Sequence, residues 1–154
     1  MSVRVQEAAF DVSAEIARLT ASDSDIGAVA TFIGKVRGTS SGRNLSSMTL
    51  EHYPGMTEDE LSNIENEAIA RFRLSASTIV HRTGTLKPGD DIVLVIACAS
   101  HRGDAFAACE FLMDYLKTRA PFWKKETAAD GSGHWVDARE GDSAASARWL
   151  KVEE

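Results

Sequence analysis

Residues 77–100 read STIVHRTGTLKPGDDIVLVIACAS, two apolar runs either side of the turn KPGD. This pattern predicts a hairpin of strands over 77–86 and 91–100. The second run is apolar at successive positions, so it should be buried on both faces and lie centrally in its sheet. Upstream, GAVATFIGKVRG (27–38) reads as a strand bounded by glycines, and NLSSMTLEHY (44–53) as another in which Met48, Leu50 and His52 share one face. Helical spacing governs three stretches. DVSAEIARLTA (11–21) predicts a short helix; beyond Pro54-Gly55, Thr57 and Glu60 make a capping-box pattern ahead of Leu61, Ile64, Ala68 and Phe72. From about Asp104 to Arg119, Phe106, Cys109, Leu112, Met113 and Leu116 form a wide apolar arc, and Pro121 stops the helix. FWKKET and GHWVDA around AADGS read as a further hairpin, with one of Lys124 and Lys125 facing inward. SAASARWLKVEE closes the chain as an amphipathic helix or docking tail that makes contact through Arg148 and Trp149. The resulting class is α+β.

Composition narrows the setting. With 154 residues, 44% hydrophobic and 26% charged, the chain (1–154) fits one globular domain. No apolar run is long enough to span a bilayer and the N-terminus has no signal-peptide layout, so a cytoplasmic protein is expected. Cys98 and Cys109 have no CxxC spacing and read as small buried apolar residues.

The net charge is −6, yet the charges are segregated. Residues 51–70 hold six acids and no base, 32–50 hold Lys35, Arg37 and Arg43 with no acid, and 101–125 hold five bases against three acids. Such polarity in an acidic chain points to a confined anion pocket and away from nucleic-acid binding, which needs a broad basic face. Stacking of RNA on Phe122 and Trp123 is disfavoured for the same reason. LKTRAPFWKKE (116–126) carries the densest cations. Lys117 falls on the edge of the apolar arc, which predicts a half-sheltered amine with a depressed pKa, available as a base; the alternative is a lysine with a buried stem and a solvated head. His101 and Arg102 adjoin the start of the helix, where backbone N–H groups favour an anion, whereas His52, His81 and His134 read as structural histidines. Serine, metal and nucleotide motifs are lacking. The residue chemistry thus stops at an anion-binding α+β domain, with an enzyme and a non-catalytic phosphate- or peptide-tail-binding module both open.

TFIGKVRG, LEHYPGMTE, HRTGTLKPGD, SHRGDAF and MDYLKTRAPFWKKE, in order between about 27 and 139, resemble the large, catalytic subunit of molybdopterin synthase. The sequence departs from that family in the first thirty residues, in 39–43 and in 127–133. The resemblance implies an α+β fold with a mixed sheet in a hammerhead-like arrangement plus a small antiparallel hairpin region. It also implies a homodimer within a heterotetramer, with a small ubiquitin-like sulfur-carrier subunit at each end. The implied reaction passes sulfur from that partner's C-terminal Gly-Gly thiocarboxylate to cyclic pyranopterin monophosphate, forming the dithiolene of molybdopterin, with no metal or cofactor. The family's substrate-binding positions fall on Lys35, Val36, Arg37, His101, Arg102, Lys117, Lys124, Lys125, Glu126 and Arg139. Lys117 and Lys124 are the implied catalytic pair, in roles left unassigned between them. For the two-fold contact, the apolar stretch around 91–100 suggests association between sheets.

Overall fold

The apolar run Asp91–Ala99 forms a strand buried at every position after Asp91. Its side chains alternate between two cores. Val93, Val95, Ala97 and Ala99 join Leu61, Ile64, Leu112 and Leu116 in the larger one, whereas Leu94, Ile96 and Cys98 meet Leu19, Val80 and the partly buried Val12 and Ile16. An apolar residue at each position is thus what a strand covered on both faces requires.

The computed structural model of the chain describes residues 2–136 and 140–152. In chain order the elements are β1 (Ser2–Gln6), α1 (Val12–Thr20), β2 (Ala28–Lys35), β3 (Thr39–Ser40), β4 (Arg43–His52) and α2 (Met56–Phe72). Then follow β5 (Ala76–Arg82), β6 (Gly84–Leu86), β7 (Asp91–Ala99), α3 (Arg102–Arg119), β8 (Phe122–Ala128), β9 (Gly133–Val136), α4 (Glu140–Ala147) and a 3-10 turn (Arg148–Val152). One sheet has the order β1-β5-β7-β2; β1 runs parallel to β5 and the other pairs are antiparallel, so this sheet is mixed. The other has the order β3-β4-β8-β9, with β6 also paired to β4. The class is α+β, as expected.

Three local expectations change. The predicted strand 77–86 breaks after Arg82: the Thr83 N–H bonds to the Gln6 carbonyl and Gly84 turns the chain at φ +84°. β5 therefore serves the mixed sheet and β6 the antiparallel one, which a side chain at 84 would oppose by strain. The long helix α2 begins at Met56, not after a Thr57 cap. Gly55 is its N-cap, at φ +87°, and the Glu58 carboxylate accepts the Gly55 N–H. Thr57 is fully buried: its hydroxyl accepts the Tyr53 N–H and donates to the Pro121 carbonyl, both at 3.0 Å. It ties the start of α2 to the segment that leaves α3. In α3 the buried residues are Ala105, Ala108, Cys109, Phe111, Leu112, Met113 and Leu116, so of the predicted arc only Phe106, at 68% exposed, is not covered.

The chain's last described segment does dock through Arg148 and Trp149. The Trp149 indole N–H bonds to Asp114 at 2.7 Å, its ring meets Phe72 and Phe111 edge-on, and Arg148 pairs with Asp114. Among the described residues, no helix is long and apolar enough to cross a membrane.

Candidate functional site

On β8 the side chains alternate, so Phe122, Lys124 and Glu126 point one way and Trp123 and Lys125 the other. Lys124 is the inward member of its pair. Lys125 lies on the outer face, its ammonium 6.0 Å from the centre of the Trp135 ring. Across the ladder, β4 places His52 opposite Phe122, Leu50 opposite Lys124 and Met48 opposite Glu126. The face predicted for β4 is therefore the face that meets the inward side of β8.

These strands, the ends of β2 and β7 and the C-terminal end of α3 enclose a cavity of about 610 Å³. Its polar lining comes from Lys35, Arg37, His81, Lys117, Lys124 and Glu126, and its apolar lining includes Phe32, Ile92, Leu116 and Phe122. Cations thus gather from β2, α3 and β8. Lys35 is held in place by Asp91 at 2.5 Å and by the Gly89 carbonyl at 3.3 Å. Among the described residues, Arg37 and Lys117 make no ion pair or hydrogen bond, so both are available to an anion entering the cavity. Lys117 is exposed rather than half-sheltered. It follows the buried Leu116 by 100° of helix rotation, which turns it off the buried face in the last turn of α3.

Glu126 is buried, and one of its oxygens accepts the Ser40 hydroxyl at 3.0 Å and lies 3.9 Å from His134 Nε2. It thereby fastens the loop that ends in β3 to the cavity wall. Arg43, paired with Ser40 at the start of β4, reaches the His134 ring at 2.7–2.8 Å.

His81 enters the cavity unforeseen. It ends the alternating run Ile79–His81 of β5 and reads from sequence as structural, yet it lines the same space as the lysines. The ring stacks on Phe122 at 3.7 Å between centroids and 17° between planes. Its Nδ1 is 2.8 Å from the Arg82 carbonyl oxygen. Burial foremost, helped by the charges of Lys117, Lys124 and His52, pushes its pKa down to about 3 against the pull of that carbonyl. A polar residue closing an inward-facing apolar alternation just before a turn was the available signal.

The remaining expected positions lie elsewhere. Val36 is core: its side chain is buried, its N–H bonds to the Asp90 carbonyl and its carbonyl accepts the Gly89 N–H. His101 is the N-cap of α3 and Arg102 its first residue, both exposed; the helix starts two residues earlier than predicted. Fifteen residues separate Arg102 from Lys117, so the two ends of α3 are about 22 Å apart at 1.5 Å per residue. One copy of the chain therefore does not bring His101 and Arg102 to the cavity. Arg139 lies outside the described residues. Both cysteines are buried, and burial raises the Cys109 thiol to about 11 and shifts Cys98 upward too, which opposes thiolate chemistry. Among the described residues, no group of three or more His, Cys, Asp or Glu is placed to hold a metal ion.

The family model described as MoaE protein matches residues 5–119. A protein of Ralstonia nicotianae named molybdopterin synthase catalytic subunit is 57% identical over 148 residues, covering 96% of this chain and 84% of that protein. The Escherichia coli protein of the same name is 51% identical over 140 residues, covering 91% and 92%. Among solved structures, the molybdopterin biosynthesis MoaE protein of Burkholderia ambifaria superposes with a TM-score of 0.83 at 55% identity, covering 97% of each chain. Molybdopterin synthase of Staphylococcus aureus gives 0.80 at 29% identity, covering 86% of this chain and 95% of that one. With the fold, the cation-lined cavity and these relatives in agreement, this chain belongs to the MoaE family of molybdopterin synthase catalytic subunits.

Proposed function

We propose that the chain is the sulfur-transferring subunit of a molybdopterin synthase. The C-terminal Gly-Gly thiocarboxylate of a small ubiquitin-like partner enters the cavity and gives its sulfur to cyclic pyranopterin monophosphate, once for each sulfur of the dithiolene. The observation that carries this reading is the convergence of Lys35, Arg37, Lys117 and Lys124 on one cavity in a chain of net charge −6. Both reactants are anionic, and a terminal Gly-Gly allows a backbone to thread a narrow channel. Lys117 and Lys124 polarise the thiocarboxylate carbonyl and move protons as the pterin carbon is attacked. Arg37 holds the phosphate through its planar fork. The cytoplasm is the compartment this reading assigns.

His101 and Arg102 complete the site from a second copy. β2 is an edge strand that exposes Val29, Phe32 and Ile33, and Phe32 shares a groove with Phe106 of α3. Its Ala28 end pairs with Ala99, next to His101, and its Gly34 end pairs with Val93 at the cavity. A two-fold axis beside Thr31, midway along β2, therefore sets the His101–Arg102 end of one protomer against the cavity of its partner. β7, where sequence suggested the contact, is buried inside its sheet and offers no surface for it. The test is mass spectrometry of the pterin product after incubation with a thiocarboxylated partner. A two-sulfur product is expected; its absence refutes the reading, as does an equal yield from a partner lacking the terminal glycines.

A further inference from the structure

We propose that His81 is a specificity-determining residue of the cavity, its Nε2 accepting a hydrogen bond from a ring N–H or exocyclic amine of the pterin. This rests on the sulfur-transfer reading and names which reactant His81 meets.

A carbonyl oxygen can only accept, so the 2.8 Å contact with Arg82 makes Nδ1 the donor and places the proton there. The lone pair is then on Nε2, at the opposite edge of the ring. The ring is held in that orientation by its stack on Phe122, and the residue is only 3% exposed. Among the described residues, the Arg82 carbonyl is the sole hydrogen-bond partner of this side chain. No buried side-chain nitrogen or oxygen among the described residues is sealed away without a partner, so Nε2 opens onto the cavity that His81 lines. The charged groups that face it are Lys117 from α3, Lys124 from β8 and His52 from β4, and all three oppose protonation of the ring. His81 thus remains a neutral acceptor at neutral pH.

The other polar groups of the cavity make this position distinctive. Lys35, Arg37, Lys117 and Lys124 can only donate, which suits phosphate and thiocarboxylate. Glu126 can accept, but one of its oxygens is committed to Ser40. His81 is the neutral acceptor among these side chains, stacked on the apolar ring of Phe122 in a cavity that Ile92 and Leu116 also line. A thiocarboxylate has no proton to offer it. A pterin does, on ring nitrogens and amine. A ligand that leaves a buried acceptor unpaired binds more weakly by about 10- to 100-fold.

The experiment measures binding of cyclic pyranopterin monophosphate and, separately, of inorganic phosphate to the purified full chain by calorimetry. The proteins are wild type, His81→Phe and His81→Gln. His81→Phe keeps an aromatic ring against Phe122 and removes Nε2, whereas His81→Gln restores an acceptor. The expected result is a loss of about 10- to 100-fold in pterin affinity for His81→Phe, unchanged phosphate affinity and substantial recovery in His81→Gln. Unaltered pterin affinity in His81→Phe overturns the proposal, as does a parallel loss of phosphate affinity in both variants, which marks a structural role. Imidazole nitrogen NMR of the wild type supplies a second measurement. Nδ1 should carry the proton, and the Nε2 resonance should move with the pterin but not with phosphate; an immobile resonance also overturns it. Failure of the wild type to bind the pterin at all sinks the sulfur-transfer reading, and this inference with it.

Discussion

Lowering the pH from 7 to 5 should cost this protein about 2 kcal/mol of stability through His81 alone. The imidazole titrates near 6.5 when the chain is unfolded and near 3 in the fold, because burial, Lys117, Lys124 and His52 all disfavour its charge. The unfolded state therefore binds the proton first as pH falls. Stability is complete above about 6.5 and is lost progressively as pH drops toward 3, with the full loss approaching about 5 kcal/mol for a shift of roughly 3.5 units at 1.36 kcal/mol per unit. Against a total stability of about 5–15 kcal/mol this is a large fraction. The assay is urea unfolding of wild type and His81→Phe at pH 7 and pH 5. Other titrating groups are common to both proteins and cancel in the double difference. His81→Phe lowers stability at both pH values by losing the donor to the Arg82 carbonyl, yet its own drop between pH 7 and 5 should be smaller than that of wild type by about 2 kcal/mol. Equal drops in the two proteins would mean that His81 charges readily in the fold, and the burial argument would fail.

Three further outcomes follow from the site and the turns. At subsaturating precursor, where Lys117→Ala and Arg102→Ala chains are each strongly impaired alone, mixing and re-equilibration should recover about a quarter of wild-type sulfur transfer, since half the dimers are mixed and each carries one intact site; no recovery refutes the shared site. Arg37→Ala should weaken precursor binding by roughly 1.5–3 kcal/mol with the saturated rate partly retained, whereas Lys117→Ala should lower the single-turnover rate at saturation by about 100-fold or more; a near-normal rate removes Lys117 from the chemistry. Gly84→Ala should cost about 1 kcal/mol in urea unfolding, from the φ of +84° alone, because an added Cβ meets Glu7 at an ordinary 3.5 Å; a neutral effect would show that the turn tolerates a side chain.

The sequence by itself determined the three main helices and the strands around 27–38, 44–53, 91–100 and 122–136, that Asp91–Ala99 is central, and that one of Lys124 and Lys125 faces inward, whereas the strand Ser2–Gln6 went unread. Each follows from periodicity, which is a local property: a strand's side chains alternate wherever the strand is placed. The densest cations around residues 117–125 were equally legible, because segregated charge needs no coordinates to count. Tertiary structure decided what these elements meet. The run 77–86 looks continuous until Thr83 bonds to Gln6 and Gly84 turns the chain into the second sheet. Thr57 resembles a cap, but its hydroxyl is taken by Tyr53 and Pro121, the latter 64 residues away. Lys117 sits beside apolar neighbours on its helix, yet the elements packed on the last turn of α3 cover Leu116 and engage Arg119 while leaving Lys117 exposed at the cavity. His81 looks like core on its own strand and becomes part of the site only because Phe122 stacks against it and Lys117 and Lys124 arrive from α3 and β8. The separation of His101 and Arg102 from the cavity is likewise a matter of helix length, since residues that cooperate in a motif can stand at opposite ends of a rigid rod.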